Sequence, residues 1–156
     1  MSTPFGTPMF ELGTEYLFSR QSRVRREIVG PVAEGFRVNV YTEDGEVRGP
    51  RLVGTAGAGA DWFTIRRDGI GIVDSRVVIH AESGALICAR YTGTTDLGPD
   101  AYERILRGEL PTPGKIFIAA RFQTADPGHA WLNRVQAIGV GMNQGDSNSW
   151  DIYALR

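Results

Sequence analysis

The chain has 156 residues with 17 basic and 18 acidic side chains, a formal net charge of −1, and a single cysteine. This balance excludes the basic surface that binds nucleic acids or acidic membranes, and one cysteine excludes an internal disulfide framework or a cysteine-ligated zinc site. Because no apolar run approaches the roughly 20 residues of a membrane helix and no apolar leader follows Met1, we expect one domain over residues 1–156 in the cytoplasm.

Strand patterns dominate the first third of the chain. Residues 1–8 are expected to be a loose arm, because three of them are proline or glycine. The arginine-rich segment 19–31 is interpreted as a solvated loop, with a clamp for phosphate or carboxylate groups as the alternative. A turn is expected at 43–46, where the sequence is Glu-Asp-Gly-Glu. Alternation of period two predicts strands over residues 10–18, 36–41 and 47–55.

The central hairpin around Asp68-Gly69 organises the predicted fold. This dipeptide supplies the positive φ angles of a tight turn between two β-prone runs. In the second run, the odd-numbered positions 73–79 are apolar apart from Ser75. The opposite face of the same strand carries the ionisable residues Asp74, Arg76 and His80. Such a face is either wetted by solvent or lines a polar cavity, and we favour the cavity, with the even-numbered side chains directed inward.

The second half of the chain contains one helix among further strands. Residues 99–107 begin with proline, carry acids in the first turn and an arginine in the last, and precede Gly108, which is typical of a short helix. Alternation predicts the remaining strands over residues 85–93, 115–124, 131–142 and 150–155. The fold is therefore predicted as all-β, a single antiparallel lipocalin-like barrel of eight or nine strands with one short helix, because closure removes the edges of so large a sheet.

Several cofactor and catalytic motifs are missing from the sequence. Gly57-Ala58-Gly59 is interpreted as a turn and not as a nucleotide loop, because Trp62 stands in place of the third glycine and no helix follows. The two histidines, His80 and His129, lack the spacing of a metal site, and no Gly-x-Ser-x-Gly elbow is present. We therefore expect neither a metal nor a cofactor.

Six short motifs follow one another in a characteristic order and spacing. They are Gly49-Pro50-Arg51-Leu52 with Gly54, Gly59-Ala60-Asp61-Trp62, Arg66 with Asp68-Gly69, Asp74-Ser75-Arg76, Gly84-Ala85-Leu86-Ile87 and Trp131-Leu132-Asn133-Arg134. From about residue 9 to the end, the chain thereby resembles the family called domain of unknown function 3237. The resemblance implies a small barrel with a central cavity and no general biochemical function. Val77 stands where the family commonly has tyrosine, and Gly57-Ala58-Gly59 where it has Pro-Gly-Gly, which argues against tyrosine-dependent chemistry at Val77.

The candidate catalytic residues are those of the central hairpin: Asp74, Arg76 and Arg66. A carboxylate beside two guanidinium groups stays ionised, and the arginines can stabilise an enolate or carboxylate. Asp74 would then shuttle a proton while Arg66 and Arg76 hold negative charge. The alternative is an arginine–aspartate pair that only fixes the strand register.

Aromatic and polar side chains on neighbouring strands are the candidate ligand contacts. An organic-ligand pocket combines aromatic walls with a few convergent polar groups. Trp62 and Trp131 are expected to pack a ring system, with ordinary barrel filling as the alternative. His80 is either a base or a solvated residue at the rim. The full predicted set is Trp62, Thr64, His80, Tyr91, Arg121, Trp131 and Asn133.

These residues support three functional hypotheses. The leading one is a cofactor-independent lyase, isomerase or cyclase that moves a proton on an aromatic or polyketide-like carbonyl compound in the cavity. The second is a carrier or sensor without turnover, and the third is a structural subunit whose barrel is filled by its own side chains. The expected partner is a small-molecule ligand, with nucleic acid and membranes excluded and a homo-oligomer left open.

Overall fold

The structure is a computed structural model that describes residues 4–111 and 114–156. Eight antiparallel strands form a closed barrel in which each strand pairs with its neighbours along the chain and the last pairs with the first. The strands are β1 (Thr14–Val32), β2 (Gly35–Arg48), β3 (Gly54–Ile65), β4 (Ile70–Ala81), β5 (Leu86–Asp96), β6 (Ile116–Gln123), β7 (Ala137–Gln144) and β8 (Ser147–Leu155). One helix, α1 (Ala101–Leu106), precedes β6, and no described helix is long and apolar enough to cross a bilayer. The predicted barrel with one short helix is confirmed.

The long hairpin of β1 and β2 contains the segment that was predicted as a loop. Residues 19–31 are strand, with Val24 packed inside and Arg23 on the outer surface. Arg23 Nη2 lies 2.8 Å from the Oδ2 atom of Asp44 on the opposite strand. Because opposite charges across a strand pair stabilise it, the charged sequence continues as strand. The predicted loop at 19–31 and the predicted turn at 43–46 are both wrong.

The chain reverses its direction at residues 49–53, inside the segment 47–55 that was predicted as one strand. β2 ends at Arg48 and β3 begins at Gly54. A Cβ atom at Gly49 would overlap the backbone of Leu17 and Phe18, so only glycine lets the turn approach β1 this closely. The motif that begins with Gly49-Pro50 therefore forms the turn between β2 and β3, next to β1.

A 3-10 helix at Pro127–Arg134 replaces the first part of the strand predicted over 131–142. Asn133 fixes this helix to the end of β6: its Oδ1 atom accepts the Thr124 N–H at 2.8 Å, and its Nδ2 atom donates to the Thr124 carbonyl at 2.9 Å. Leu132 is fully buried against the barrel core. The helix thus packs against one end of the barrel, and β7 begins only at Ala137.

Two apolar clusters occupy the barrel interior. The larger one includes Leu17, Phe18 and Leu132 and fills the end that the 3-10 helix covers. The smaller one joins Phe36 and Ile65 to the buried face of α1. Burial of these side chains supplies most of the stabilisation of a fold with so little helix.

The orientation of β4 is opposite to the one predicted. Val73, Ser75, Val77 and Ile79 are buried, whereas the even-numbered positions face outward or are half-exposed. The prediction that the even-numbered side chains look into the interior is therefore wrong. The physical reason is that the interior around β4 is filled by apolar side chains from both ends, and only the odd-numbered set can pack there without unpaired charge.

Candidate functional site

A cavity of about 330 Å³ lies in the barrel between the two apolar clusters. Its apolar lining includes Val38 and Val40 of β2, Phe63 and Ile65 of β3, Val73 of β4 and Ile105 of α1. The exposed lining residues are Leu110, Gly145 and Asp146, and they mark the opening of the cavity beside the β7–β8 turn. Its polar and charged lining residues are Arg20, Arg26, Thr42, Asp61, Ser75, Tyr91, Asn143, Asp146, Asn148 and Trp150. An apolar chamber with a few polar groups is what binds a small organic molecule.

Asp61 on β3 contributes the carboxyl group of this cavity. Trp62 and Phe63, which follow it, have no ladder partner in β4, and Asp61 Oδ1 instead accepts the Asp74 N–H at 2.9 Å. Burial raises the pKa of Asp61 to about 7, and the negative charge of Asp74 adds to the rise. The Asp74 N–H and the positive charges of Arg20 and Arg37 oppose it. Near neutral pH this carboxyl can therefore both accept and donate a proton.

Arg20 on β1 is a charged group inside the barrel, with 2% of its surface exposed. Its guanidinium carbon lies 5.3 Å from the centre of the Tyr91 ring. The Nε and Nη1 atoms have no hydrogen-bond partner. Burial lowers the pKa of Arg20, while the groups of Tyr91 and Asp61 raise it, and an arginine side chain keeps its proton in proteins. The cavity thus holds a cation that the protein leaves without hydrogen bonds at two nitrogens.

Three further polar side chains in the wall also have unpartnered atoms. They are the Tyr91 hydroxyl, the Asn148 Oδ1 atom and the Trp150 Nε1 atom, all buried. Tyr91 and Trp150 lie with their ring centres 6.3 Å apart, and the Trp150 ring occupies the space that a side chain at Gly141 would need. Burial raises the pKa of the Tyr91 hydroxyl, with the charge of Arg20 opposing the rise. Since buried polar groups in proteins are normally hydrogen-bonded, this cluster has the character of a binding site.

The three predicted catalytic residues do not line the cavity. Arg66 lies in the β3–β4 turn, where it forms an ion pair with Asp68. Asp74 is on the outer wall, with its Oδ1 atom 3.4 Å from Arg76 Nη1 and 3.8 Å from Arg90 Nη2. The side chain of Arg76 is 60% exposed. The expected catalytic cluster inside the barrel is therefore wrong, and these residues form ion pairs on the surface.

Of the predicted ligand contacts on the strands, Tyr91 alone lines the cavity. Trp62 is on the outer wall and packs edge-on against Tyr41. Thr64 is buried outside the barrel interior and accepts a hydrogen bond from Arg37 Nε at 3.1 Å. His80 and Arg121 also lie on the outer surface, and both are exposed. Their placement in the cavity is wrong for the same reason as in β4: the opposite face of each strand is the one that packs inward.

Trp131 and Asn133 belong to the 3-10 helix and lie outside the cavity. The ring of Trp131 stacks under the guanidinium of Arg51, whose carbon is 4.1 Å from the ring centre. The Asn133 side chain forms two hydrogen bonds with the backbone of Thr124. Both residues fix the covered end of the barrel, which is a structural role.

The cavity residues that the sequence interpretation missed include Arg20, Asp61, Asn148 and Trp150. Arg20 was assigned to a loop, and Asn148 precedes the strand predicted at 150–155. Asp61 was noticed within the motif Gly59-Ala60-Asp61-Trp62, and its position two residues before the apolar Phe63 on the same strand face was the available indication. Among the residues that the structure describes, no three His, Cys, Asp or Glu side chains gather as metal ligands would.

Comparison with known proteins supports the fold. A family model described as "Protein of unknown function (DUF3237)" matches residues 12–155. No curated protein matches the chain. The similar solved structures include the following three. A β-barrel like protein from Acinetobacter baumannii has 24% identity and a TM-score of 0.80, with 98% of this chain and 100% of that chain covered.

A protein of unknown function from Clostridium acetobutylicum has 20% identity and a TM-score of 0.82, covering 94% of this chain and 100% of that one. An enzyme from Penicillium herquei has 22% identity and a TM-score of 0.68, covering 95% and 99%. At these identities the likeness shows the barrel fold alone.

Proposed function

The chain belongs to the DUF3237 family of proteins of unknown function, and we propose that it binds an aromatic or polyketide-like carbonyl compound in its barrel and moves a proton on it. The reaction class is that of a lyase, isomerase or cyclase that works with its own side chains. The observation that carries the proposal is that the Asp61 carboxyl and the buried Arg20 guanidinium line the same cavity, together with apolar side chains. The similarity to a fungal barrel that is an enzyme agrees with this class.

The chemistry assigns complementary roles to the two groups. The Asp61 carboxylate removes a proton from the carbon next to the carbonyl group, and the electron pair of that C–H bond moves onto the carbonyl oxygen. Arg20 stabilises the resulting enolate oxygen, and its burial strengthens this interaction relative to one in water. Protonated Asp61 then returns the proton to another carbon in an isomerisation, or to a departing group in an elimination. The apolar wall positions the substrate between the two.

The second candidate function is a carrier or sensor that binds the same kind of compound without turnover. The unpartnered Tyr91, Asn148 and Trp150 atoms favour it, because they serve binding whether or not a reaction follows. The third hypothesis, a barrel filled by its own side chains, is disfavoured by the open volume of about 330 Å³.

Proton exchange on a simple aromatic ketone tests the proposed function. We expect the protein to accelerate the exchange of the α-protons of α-tetralone, a bicyclic compound, in deuterium oxide, followed by proton NMR. Thr42→Trp, which places an indole in the cavity wall, should reduce this rate at least tenfold, because it occupies the substrate volume. Thr55→Trp, on the exposed outer face of β3, is the matched control and should leave the rate unchanged.

The results separate the candidates. Acceleration that Thr42→Trp removes and Thr55→Trp retains supports the enzyme. Saturable binding of α-tetralone without any acceleration supports the carrier and contradicts the enzyme. Acceleration that is equal in the two variants would locate the activity outside the cavity and contradict the proposal.

A further inference from the structure

Asp61 is the carboxyl group whose charge acts on Arg20 from the same cavity wall. No carboxylate among the described residues lies within ion-pair distance of the Arg20 guanidinium, and its Nε and Nη1 atoms are buried without partners. The other arginine of the cavity wall, Arg26, is already paired at the opening, with its Nη1 atom 3.6 Å from Asp146 Oδ1. A buried and unpaired charge is costly, so a protein retains one where something else supplies the opposite charge.

The side chains around Arg20 indicate which chemical groups a ligand would carry beside its negative charge. The centre of the Tyr91 ring lies 5.3 Å from the guanidinium carbon, and the hydrogen-bond donors of a guanidinium point outward from its planar edges. Such an edge pairs best with two oxygen atoms in one plane. Trp150 Nε1 is an unused donor and Asn148 Oδ1 an unused acceptor in the same wall, so both can bind a neighbouring oxygen or hydroxyl.

We propose that the ligand of this cavity is an acidic aromatic compound that is bound as an anion, its carboxylate, phenolate or enolate oxygen paired with Arg20. This inference rests on the proposed function and narrows its substrate class. A neutral ketone satisfies one of the unpartnered nitrogens of Arg20 and leaves its charge unbalanced. An anion adds the opposite charge, and its adjacent oxygens can bind an edge that Nη2 shares with one of the two unpartnered nitrogens, Nε or Nη1.

A pair of probes that differ in charge and hardly in shape tests this. 2-Naphthoate and 2-naphthamide are both titrated into the protein at pH 7, with binding measured by calorimetry. We expect 2-naphthoate to bind at least tenfold more tightly, because the amide carries no charge for Arg20. Arg20→Met should abolish this preference. Arg90→Met, which removes an exposed arginine from the outer wall, is the control and should preserve it.

Each outcome has one meaning. Equal binding of the two probes to the unmodified protein overturns the inference and leaves the proposed cavity function standing. Failure of both probes to bind overturns the proposed function as well. The affinities of the unmodified protein for 2-naphthoate and 2-naphthamide are enough to test the inference. The test therefore remains valid even if Arg20→Met does not fold.

A second inference comes from the outer surface, independently of the cavity. On the outer face of four adjacent strands, β6, β7, β8 and β1, several apolar side chains lie around the hydrogen-bonded pair Ser19 and Asp151, where barrels usually present a polar surface to water. Cross-strand partners include Phe117 with Val140 and Ile138 with Tyr153. We call this the outer apolar face: Tyr16, Phe117, Ile138, Val140, Met142 and Tyr153. Phe117 is 60% exposed.

The N-terminal arm, residues 4–13, leaves the barrel at the border of this face. Gly13 and Arg156 exchange two backbone hydrogen bonds of 2.9 Å, beside the pair Tyr16 and Tyr153. The arm exposes four large apolar side chains, Phe5, Met9, Phe10 and Leu12. The exposed fraction of these side chains is between 66% and 106%. A segment of this composition is stable in water when another apolar surface buries it.

The total surface supports the same conclusion. A compact monomer of 17.1 kDa is expected to expose about 7,750 Å², whereas this chain exposes 9167 Å². The excess is larger than the roughly 800 Å² that each partner contributes to a standard interface. We infer that a second copy of the chain covers the outer apolar face, with the two arms exchanged about a two-fold axis.

Sedimentation velocity tests this assembly. We expect a species of twice the 17.1 kDa chain mass for the unmodified protein, and a monomer for Phe117→Asp. Removal of residues 1–12 should also shift the mass toward the monomer. Leu86→Asp changes a residue of similar exposure, 56%, at a distance from the face, and should stay dimeric. An unmodified protein that is monomeric at 100 µM overturns the inference, and so does equal dissociation by Phe117→Asp and Leu86→Asp.

Discussion

Asp61→Asn is expected to slow the exchange of α-tetralone protons by about 10²–10⁴-fold, the usual effect of removing a general base. Asparagine has nearly the same shape, and its side-chain oxygen can still accept the Asp74 N–H. The fold and the cavity should therefore persist while the proton acceptor is lost. The measurement is the initial rate of deuterium incorporation by NMR, with far-UV circular dichroism as the check on folding.

The pH dependence of the unmodified protein belongs to the same prediction. The carboxylate is the form that removes a proton, and burial raises the pKa of Asp61 to about 7. The rate should therefore rise with pH, reach half of its maximum near pH 7 and level off above it. The charged groups that face Asp61 are Arg20, Arg37 and Asp74. A rate that falls as pH rises through 7 would contradict the assignment of Asp61 as the base.

Asp74→Asn is the matched control. Its side chain is on the outer wall, and only its backbone N–H contacts Asp61. The rate should stay within about twofold, because removing a charge outside the cavity does not remove the proton acceptor. The midpoint of the pH profile should move slightly downward, since the charge of Asp74 raises the pKa of Asp61. If Asp74→Asn were inactive and Asp61→Asn active, the catalytic assignment would have to return to the outer wall.

Gly69→Ala is expected to reduce the free energy of unfolding by about 3 kcal/mol or more, from two separate costs. Gly69 has a φ of +88°, where a residue with a Cβ atom loses about 1–2 kcal/mol. The added Cβ would also overlap the carbonyl oxygen of Gly98, and such overpacking costs about 1–3 kcal/mol. The overlap would displace the segment before α1, where the Leu97 N–H donates to the Gly69 carbonyl at 3.0 Å.

Gly84→Ala separates the two costs. Gly84 lies in the next hairpin with a φ of +89°, and no heavy atom lies within 4 Å of the position that an added Cβ atom would take. Only the cost of backbone conformation applies, so we expect a loss of about 1 kcal/mol. Urea unfolding of both variants measures the difference. Equal destabilisation by the two substitutions would show that the approach of Gly98 to the hairpin contributes nothing.

The sequence interpretation succeeded where local chemistry is decisive. The chain turns at Asp68-Gly69 as expected, with the Gly69 N–H donating to the Arg66 carbonyl at 3.0 Å, but only Gly69 has the predicted positive φ angle. The short helix after Pro99 is present as α1. Errors arose where distant residues decide. The charged segment 19–31 is a strand because acids of β2, far along the chain, pair with its arginines. Residues 127–134 form a 3-10 helix because Asn133 bonds Thr124.

Alternation along each strand determined by itself which residues share a face, so the sequence alone grouped Asp74 with Arg76 and grouped Val73 with Ser75. It could not determine which group points inward, because alternation of period two is the same for both orientations. Closure of the barrel determined which group of side chains points inward. Apolar side chains fill both ends of the interior. Asp74 and Arg76 therefore lie on the outer wall in contact with water, whereas Asp61 and Arg20 both line the cavity.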